Sequence, residues 1–184
     1  MTRIIKILKM RTVFLFSLCL VVIGCTTPTE PGLCILDPVH LDMPYLAAPG
    51  GQCVQACAAM TASYVYKIQP TATMLQDQTT WLTQQKHQIT VPQIISLFQD
   101  YWHLTRSHYQ RSSLQDLYLL LQQDIPVVVL IDGWEHMLHA VVLTGMDPAY
   151  VYVQDPARGL VTYPHTTFQA LRAVAENGVV VVRK

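Results

Sequence analysis

The sequence predicts an α+β fold in which helices fill the first half of the domain and a mostly antiparallel sheet fills the second half. Amphipathic runs that follow helix-start signals lie between residues 53 and 121, and short runs rich in Val and Tyr, separated by turn residues, follow residue 125. Helices that precede the strands, instead of alternating with them, favour an antiparallel sheet over parallel βαβ units.

The first 24 residues have the pattern of a signal peptide, with a basic start and an apolar run over residues 12–23 that is too short to span a bilayer. This run leads into the sequence VIGC, which resembles the bacterial lipobox and makes Cys25 the expected lipidation site. We therefore expect a signal peptide over 1–24, a lipidated Cys and linker over 25–44, and one domain over 45–184. An ordinary secretory peptide or a small membrane anchor is the alternative.

The lipobox resemblance implies a protein that acyl chains anchor to the bacterial cell envelope without spanning the membrane. Thr26 follows the lipidated Cys, in a position where Asp would retain a lipoprotein at the inner membrane, so we expect the outer membrane, facing the periplasm. Twelve Lys and Arg balance twelve Asp and Glu, and this charge pattern indicates no nucleic-acid partner.

The first predicted helix begins at Cys53 and ends near Lys67, after a linker that carries five prolines between residues 28 and 49. Small and apolar side chains fall on one of its faces at helical spacing, namely Val54, Cys57, Ala58 and Thr61. We therefore expect Cys53 to occupy the amino end of a helix that packs on the core through one face.

Two further helices have start signals of the capping-box type. Thr90 is followed by Gln93 and then by an apolar stripe, which predicts a helix that begins at Thr90. Ser112 and Gln115 have the same spacing ahead of another apolar stripe, which predicts a helix that begins at Ser112.

Four short strands are predicted in the second half of the domain. They are rich in Val and Tyr and comprise Pro126 to Ile131, His139 to Thr144, Tyr150 to Gln154 and Gly178 to Arg183. Between the last two strands, Thr167 to Glu176 has a helical pattern.

Three residues that are distant in sequence form a candidate catalytic triad, Cys53, His139 and Asp155. A thiol nucleophile needs a base, the base needs a group that orients it, and a helix N-terminus stabilises the thiolate. His139 begins one predicted strand and Asp155 ends the next. Because the turn at 146–149 makes these two strands antiparallel, we expect His139 and Asp155 to be neighbours.

Over roughly residues 45–184, the chain resembles the papain-like peptidases that remove double-glycine leaders from bacteriocins. The first motif of that family, a Cys that begins a helix and is followed by Ala, Cys and Met, is matched by Cys53, Ala56, Cys57 and Met60. The second, a His that leads an apolar strand into a hairpin closing on Asp-Pro, is matched by HAVVLTGMDPAYVYVQDPARG from His139. The resemblance implies a papain-like cysteine-peptidase fold, with the Cys-bearing helix packed on the sheet.

The chain departs from the family pattern at two positions near the nucleophile. The family places a Gln six residues before the Cys, where its amide donates to the oxyanion, but this chain has Ala47 there. The Gly that usually follows the Cys is replaced by Val54. Loss of one oxyanion donor typically lowers turnover by ~100- to 1000-fold. Gln52 is the candidate substitute donor, with Gln55 as an alternative, although neither has the family spacing.

Two functions are consistent with these expectations. The first is a cysteine peptidase, or a related acyl or peptidyl transferase, in which Cys53 attacks a peptide carbonyl, His139 transfers the proton and Asp155 orients the imidazole. The alternative is a papain-like module that binds a peptide without cutting it, which Ala47 favours. Both functions imply a peptide or protein partner, a membrane reached through the N-terminal lipid, and no cofactor.

Each candidate residue also has a structural interpretation. Cys53 would be an ordinary buried helix thiol, and Asp155 before Pro156 would cap a turn. Cys34 and Cys57 form one of the disulfides that an oxidising compartment allows.

The residues beside the second motif have competing interpretations. His136 and His139 would form half of a metal site only on a helix, and the pattern indicates a loop and a strand, so we expect no metal. Trp134 and Glu135 either line a substrate cleft or lie in an exposed loop. Arg158 either binds a substrate carboxylate or is a surface charge on a turn, which we favour.

Overall fold

The computed structural model describes residues 35, 37–48, 50–84, 89–133 and 137–184. The predicted signal peptide, Cys25 and Cys34 lie outside these ranges, as do residues 134–136. Lipidation therefore stays a prediction. The predicted Cys34–Cys57 disulfide is wrong for this structure, because Cys57 is a free thiol that is completely buried in the core. None of the described helices is long and apolar enough to cross a membrane.

The predicted helices and strands are present in the predicted order, together with additional elements. The described helices are α1 (Cys53–Tyr66), α2 (Ala72–Gln84), α3 (Val91–Ser96, continued by a π-helical turn, Leu97–Tyr101), α4 (Leu114–Gln122) and α5 (His165–Ala173). The described strands are β1 (Val39–His40), β2 (His108–Arg111), β3 (Val127–Asp132), β4 (Leu138–Met146), β5 (Tyr150–Asp155), β6 (Gly159–Pro164) and β7 (Gly178–Val181). The additional elements are α2, β1, β2 and β6.

The strands form one antiparallel sheet in the order β2-β7-β3-β4-β5-β6, with β1 paired to the end of β4. The predicted α+β class is therefore confirmed. The four predicted strands correspond to β3, β4, β5 and β7, whereas β1, β2 and β6 were not predicted. Polar residues in β2, and a Gly and a Pro at the ends of β6, are typical of edge strands and weaken the sequence signal.

Helix α1 is the central helix of the domain. It packs against β4 and β3 on one side and against α2 and the π-helical turn on the other. Every residue from Val54 to Tyr64 is buried. The prediction of a single buried face was therefore too narrow, because this run is apolar or small all round, as in helices that the core encloses. Enclosure on all sides fixes the position of Cys53 at the amino end.

One predicted helix start is confirmed and the other is wrong by one residue. Thr90 is the N-cap of α3, and its backbone N–H donates to Oε1 of Gln93 at 2.8 Å. Helix α4 is capped by Ser113, whose Oγ accepts from the N–H of Asp116 at 3.1 Å, and not by Ser112. Ser112 instead donates its backbone N–H to the carbonyl of Asn177, which holds it outside the helix.

Candidate active site

Cys53 is the first residue of α1 and lies at the edge of a cleft. The chain enters the helix through Gly50 and Gly51, and Gly51 has a φ of 85°, a conformation that favours glycine. The N–H groups of the first turn have no partner within the helix, and together with the helix dipole they favour a negative charge at this end. The Val54 N–H, at this end of the helix, adds to the effects that favour the thiolate form of Cys53.

His139 reaches Cys53 from the sheet. It is the second residue of β4 and pairs in register with Ile131 of β3, in the part of the sheet that α1 covers. Its imidazole interacts with the Cys53 thiol, which lowers the pKa of the thiol and raises that of the imidazole. The backbone N–H of Ala140, the next residue, also favours the ionised sulfur.

Asp155 lies on the other side of the imidazole, at the end of β5. Its Oδ1 is 2.9 Å from Nε2 of His139, which leaves Nδ1 of the ring for the thiol. The Asp155 side chain is fully buried, whereas that of His139 is 20% exposed. The structure therefore brings together the three residues that the sequence singled out, and the antiparallel pairing of β4 with β5 is what places the last two side by side.

Arg158 is a member of the site whose contact with Asp155 was not predicted from the sequence. Its Nε donates to Oδ2 of Asp155 at 2.7 Å and its Nη2 donates to the hydroxyl of Tyr163 at 2.7 Å. The preferred interpretation, a surface charge on a turn, is confirmed for its position, since Arg158 lies on a turn and is exposed, but it did not include the contact with Asp155. A turn that follows the strand brings the guanidinium back, because the Arg158 N–H donates to the Asp155 carbonyl at 3.2 Å.

These contacts move the pKa values of the thiol and the imidazole in opposite directions. Burial opposes the ionisation of Cys53, but hydrogen bonds from His139 and from backbone N–H groups outweigh it, so the thiol pKa lies below its ordinary value. The bond to Cys53, with that to Asp155, raises the pKa of His139 against the effect of burial. Both shifts favour the thiolate and the imidazolium over the two neutral groups.

The carboxylate of Asp155 stays ionised in its buried position. Burial raises its pKa, but the hydrogen bonds from His139, from the Ala157 N–H and from Arg158 outweigh this effect, and the pKa lies below its ordinary value. A carboxylate that is charged at neutral pH can orient the imidazole and stabilise its protonated form.

The cleft beside these residues has a volume of about 870 Å³. Its walls are largely apolar and include residues from the start of α3, from β3 and β4 and from α5. The larger apolar side chains include Ile89, Val91, Ile94, Leu130, Met137, Leu138 and Leu171. Cys53, His139 and Asp155 all line it. Cys53 therefore lies at the side of a cleft whose walls suit the apolar side chains of a ligand.

The structure does not bring the expected oxyanion side chain to this cleft. The amide nitrogen of Gln52 donates to Oγ1 of Thr79 on α2 at 3.4 Å, and Gln52 does not line the cleft. Gln55 is 4% exposed and does not line it either. Backbone N–H groups at the start of α1 are therefore the donors that the described part of the chain offers beside Cys53.

The described residues contain no group of three or more His, Cys, Asp or Glu side chains that could hold a metal ion. His136, which the sequence analysis weighed as a ligand beside His139, lies outside the described residues, as do Trp134 and Glu135.

Gly133 donates its N–H to the Met137 carbonyl beside His139, and no larger residue fits at this position. A Cβ at Gly133 would lie 2.6 Å from the Met137 carbonyl oxygen and 2.9 Å from Cβ of His139. We expect Gly133→Ala to displace the imidazole and to slow the alkylation of Cys53 at pH 6 by up to ~100-fold. Gly50→Ala is the matched control, since nothing lies within 4 Å of its added Cβ, and equal effects of the two variants would contradict this explanation.

Comparisons with known proteins agree with this architecture. A C39-like peptidase from Bacillus anthracis has a TM-score of 0.64 at 15% identity, covering 80% of this chain and 98% of its own. A double-glycine-motif protease of an AMS/PCAT transporter, solved in complex with the leader peptide, has a TM-score of 0.59 at 19% identity, with 79% and 96% covered. The peptidase domain of Streptococcus ComA, a bifunctional ABC transporter of a quorum-sensing pathway, has a TM-score of 0.59 at 12% identity, with 77% and 97% covered.

These likenesses are likenesses of fold. No curated protein matches the chain in sequence. The model of the Peptidase_C39-like family, however, matches residues 40–175, a segment that contains Cys53, His139 and Asp155. Most of the chain lies within that match, and the structure has the fold of C39-like peptidases. The chain therefore belongs to the Peptidase_C39-like family.

Proposed function

We propose that this protein is a cysteine peptidase in which Cys53 is the nucleophile, His139 is the general base and acid, and Asp155 orients His139. The observation that carries the proposal is the arrangement of three side chains at the side of an open apolar cleft, in which the His139 imidazole interacts with the Cys53 thiol and is hydrogen-bonded to Asp155 at 2.9 Å. Membership of the Peptidase_C39-like family supports a cysteine-peptidase type of activity.

The reaction proceeds in two acyl transfers. The Cys53 thiolate attacks the carbonyl carbon of the scissile peptide bond, a C–S bond forms and the carbonyl electrons move to the oxygen. When the C–N bond breaks, the His139 imidazolium gives its proton to the leaving amine and a thioester remains on Cys53. Water then attacks the thioester, His139 takes its proton, and the acid leaves as the thiolate is restored.

The oxyanion that forms during both transfers has few donors. We assign the backbone N–H of Cys53 as one of them, because the N-terminal N–H groups of α1 have no partner within the helix. No Asn or Gln side chain is among the described residues that line the cleft. With one donor missing, turnover should be lower by ~100- to 1000-fold than in an enzyme with a complete oxyanion hole.

The substrate is a peptide or protein segment with apolar side chains close to the scissile bond. The cleft walls support this, since Met137 and Leu138, which flank His139 on its N-terminal side, are 66% and 52% exposed. Burial of such surface by an apolar side chain is worth roughly 25 cal/mol per Å². One of the proteases of similar fold was solved with a leader peptide bound, which is consistent with a peptide partner for this chain.

Two other functions use the same cleft. A transferase would replace water with an amine in the second step, and the same thioester would serve both reactions. A peptide-binding module would hold its ligand in the cleft and leave it intact, which Ala47 and the direction of the Gln52 amide favour.

A peptide library separates these functions. Incubation of the protein with the library should produce new peptide termini that mass spectrometry detects, and Cys53→Ala should remove them. Added amines that become joined to the new carboxyl ends would identify a transferase. If the wild-type protein retains library peptides as well as Cys53→Ala does, and cuts none of them, the peptide-binding module replaces the peptidase proposal.

We also propose that the protein acts while tethered to the cell envelope through lipid on Cys25, most consistently at the outer membrane. Radiolabelled palmitate should be incorporated into the wild-type protein, and Cys25→Ala should abolish the labelling, because the lipobox-like VIGC sequence ends in this thiol. Cys19→Ala, inside the predicted signal peptide, is the control that should label normally. Labelling that persists in Cys25→Ala would overturn the lipoprotein assignment.

A further inference from the structure

The two oxygens of Asp155 face different partners. Oδ1 accepts from His139 at 2.9 Å and from the Ala157 N–H at 2.8 Å. Oδ2 accepts from Nε of Arg158 at 2.7 Å. Three donors thus fix the rotation of a fully buried carboxylate, and Arg158 supplies the one that holds the side turned away from the imidazole.

Arg158 is itself held at its other end. Its Nη2 donates to the hydroxyl of Tyr163 on β6, and the Tyr163 ring stacks on Phe168 of α5, with 6.1 Å between the ring centroids. Phe168 is fully buried in the core. The guanidinium therefore links the carboxylate to the packed part of the domain, although 46% of the Arg158 side chain is exposed to the cleft and the solvent.

We propose that Arg158 is a positioning residue, which acts on Cys53 through Asp155 and His139 by holding the Asp155 carboxylate in the orientation that presents Oδ1 to the imidazole. The inference rests on the proposed role of Cys53 as the nucleophile. Arg158 does not need to touch the substrate to act in this way. Its effect is transmitted by two hydrogen bonds, from the guanidinium to the carboxylate and from the imidazole to the same carboxylate.

The charge of Arg158 matters as well as its shape. The titratable groups that interact with Asp155 are His139 from β4, Arg158 from the turn, and the thiol of Cys57 from α1. Of these, the guanidinium alone is charged at every pH of interest. Tyr163, from β6, reaches the carboxylate only through Arg158.

Without Arg158, burial would act on the Asp155 carboxylate with less opposition, and its pKa would rise. As the pH falls, the carboxylate would then take up a proton earlier and stop accepting from the imidazolium. The Cys53 thiolate, which depends on that imidazolium, would be lost at a higher pH than in the wild-type protein.

Lys cannot replace Arg158 fully. A planar guanidinium can donate to a carboxylate and to a phenol at the same time through fixed nitrogens, whereas an ammonium is a single flexible donor group. Arg158→Lys should therefore keep part of the charge effect and lose the fixed orientation. Tyr163→Phe keeps the ring packing against Phe168 and removes the hydrogen-bond partner of Arg158 Nη2. It should therefore weaken the hold of Arg158 on the Asp155 carboxylate only slightly.

Two measurements on the full-length protein test this role. The first is the rate of Cys53 alkylation by iodoacetamide between pH 3 and 8, in wild type, Arg158→Ala, Arg158→Gln and Arg158→Lys. We expect the acid limb of the profile to move to higher pH by about one pH unit in the Ala and Gln variants and by less in Lys. The Gln variant, which keeps most of the side-chain length, covers the case in which Arg158→Ala does not fold.

The second measurement follows the His139 tautomer by ¹⁵N NMR in a Cys53→Ser background, where no thiolate is present. With Arg158, the neutral ring should carry its proton on Nε2, facing Asp155; in Arg158→Gln the two tautomers should mix. An unchanged acid limb together with an unchanged tautomer would overturn the positioning role. If the tautomer responds to Arg158 while wild-type Cys53 alkylates like an ordinary thiol, the nucleophile proposal fails and the positioning of His139 stands.

Discussion

Cys53 is expected to alkylate at pH 6 at least roughly tenfold faster than Cys57, and His139→Ala is expected to remove this advantage. The thiol pKa of Cys53 lies below its ordinary value and the imidazole pKa of His139 lies above its own. The thiolate therefore forms as the pH rises through the lowered Cys53 pKa, and the imidazolium survives until the pH reaches the raised His139 pKa. Mass spectrometry of iodoacetamide-treated protein measures both rates in one sample.

Cys57 is a suitable internal reference for this experiment. It lies one helical turn further along α1, it is fully buried, and burial raises its pKa well above the ordinary value. In His139→Ala, burial would act on Cys53 without the imidazole that opposes it, so the Cys53 rate at pH 6 should approach that of Cys57. A Cys53 rate that survives His139→Ala would mean that the helix terminus alone activates the thiol. The triad proposal would then fail.

Asp155→Ala is expected to destabilise the domain by about 2 kcal/mol at pH 7 and to remove most of the peptidase activity. This loss of stability should be smaller than the roughly 3–5 kcal/mol expected when one partner of a fully buried ion pair is removed. The reason is that the Arg158 side chain is 46% exposed, so water can solvate it when Asp155 is absent. Activity should fall because nothing then holds the imidazole in the tautomer that receives the thiol proton on Nδ1. Urea denaturation and cleavage of the same peptide measure the two effects.

Asp155→Asn is the matched control, since an amide oxygen can still accept from His139 and the change in volume is small. It should therefore lower activity less than Asp155→Ala. The folded pKa of Asp155 is depressed below its ordinary 3.8, so its contribution to stability is complete above that value and is lost as the pH falls through the folded pKa. If wild type remained more stable than Asp155→Asn at a pH below the folded pKa of Asp155, the carboxylate charge would not be the cause of the stability difference.

Local patterns were reliable wherever a short segment carried its own signal. The Thr90 cap needs only Gln93 three residues later, and the strands β3, β4, β5 and β7 are short runs that turn residues delimit. The Ser112 start was wrong because Ser112 and Ser113 both precede a polar residue by three positions. The carboxylate of Asp116 bonds the Ser113 N–H and hydroxyl, and Ser112 is already bonded to a distant residue, Asn177.

Helix α2 and the strands β1, β2 and β6 could not be predicted, because their own segments carry only a weak signal. Few residues of α2 are buried, so its sequence carries a weak apolar stripe, and it is a helix partly because α1 gives it a surface to pack on. The two-residue strand β1 exists only because the end of β4 extends beyond β3 and offers free backbone groups. No window of sequence contains that information.

By itself, the sequence determined the fold class and the three residues of the candidate site, because motif spacing and a hairpin turn are local properties that bring Cys53, His139 and Asp155 to expected elements. Only the tertiary structure decided what surrounds them. Arg158 returns to Asp155 through a turn, and the Gln52 amide is directed to Thr79 and not to the cleft. The physical reason is that hydrogen-bond partners and burial depend on which elements pack together in space, and these elements are far apart along the chain.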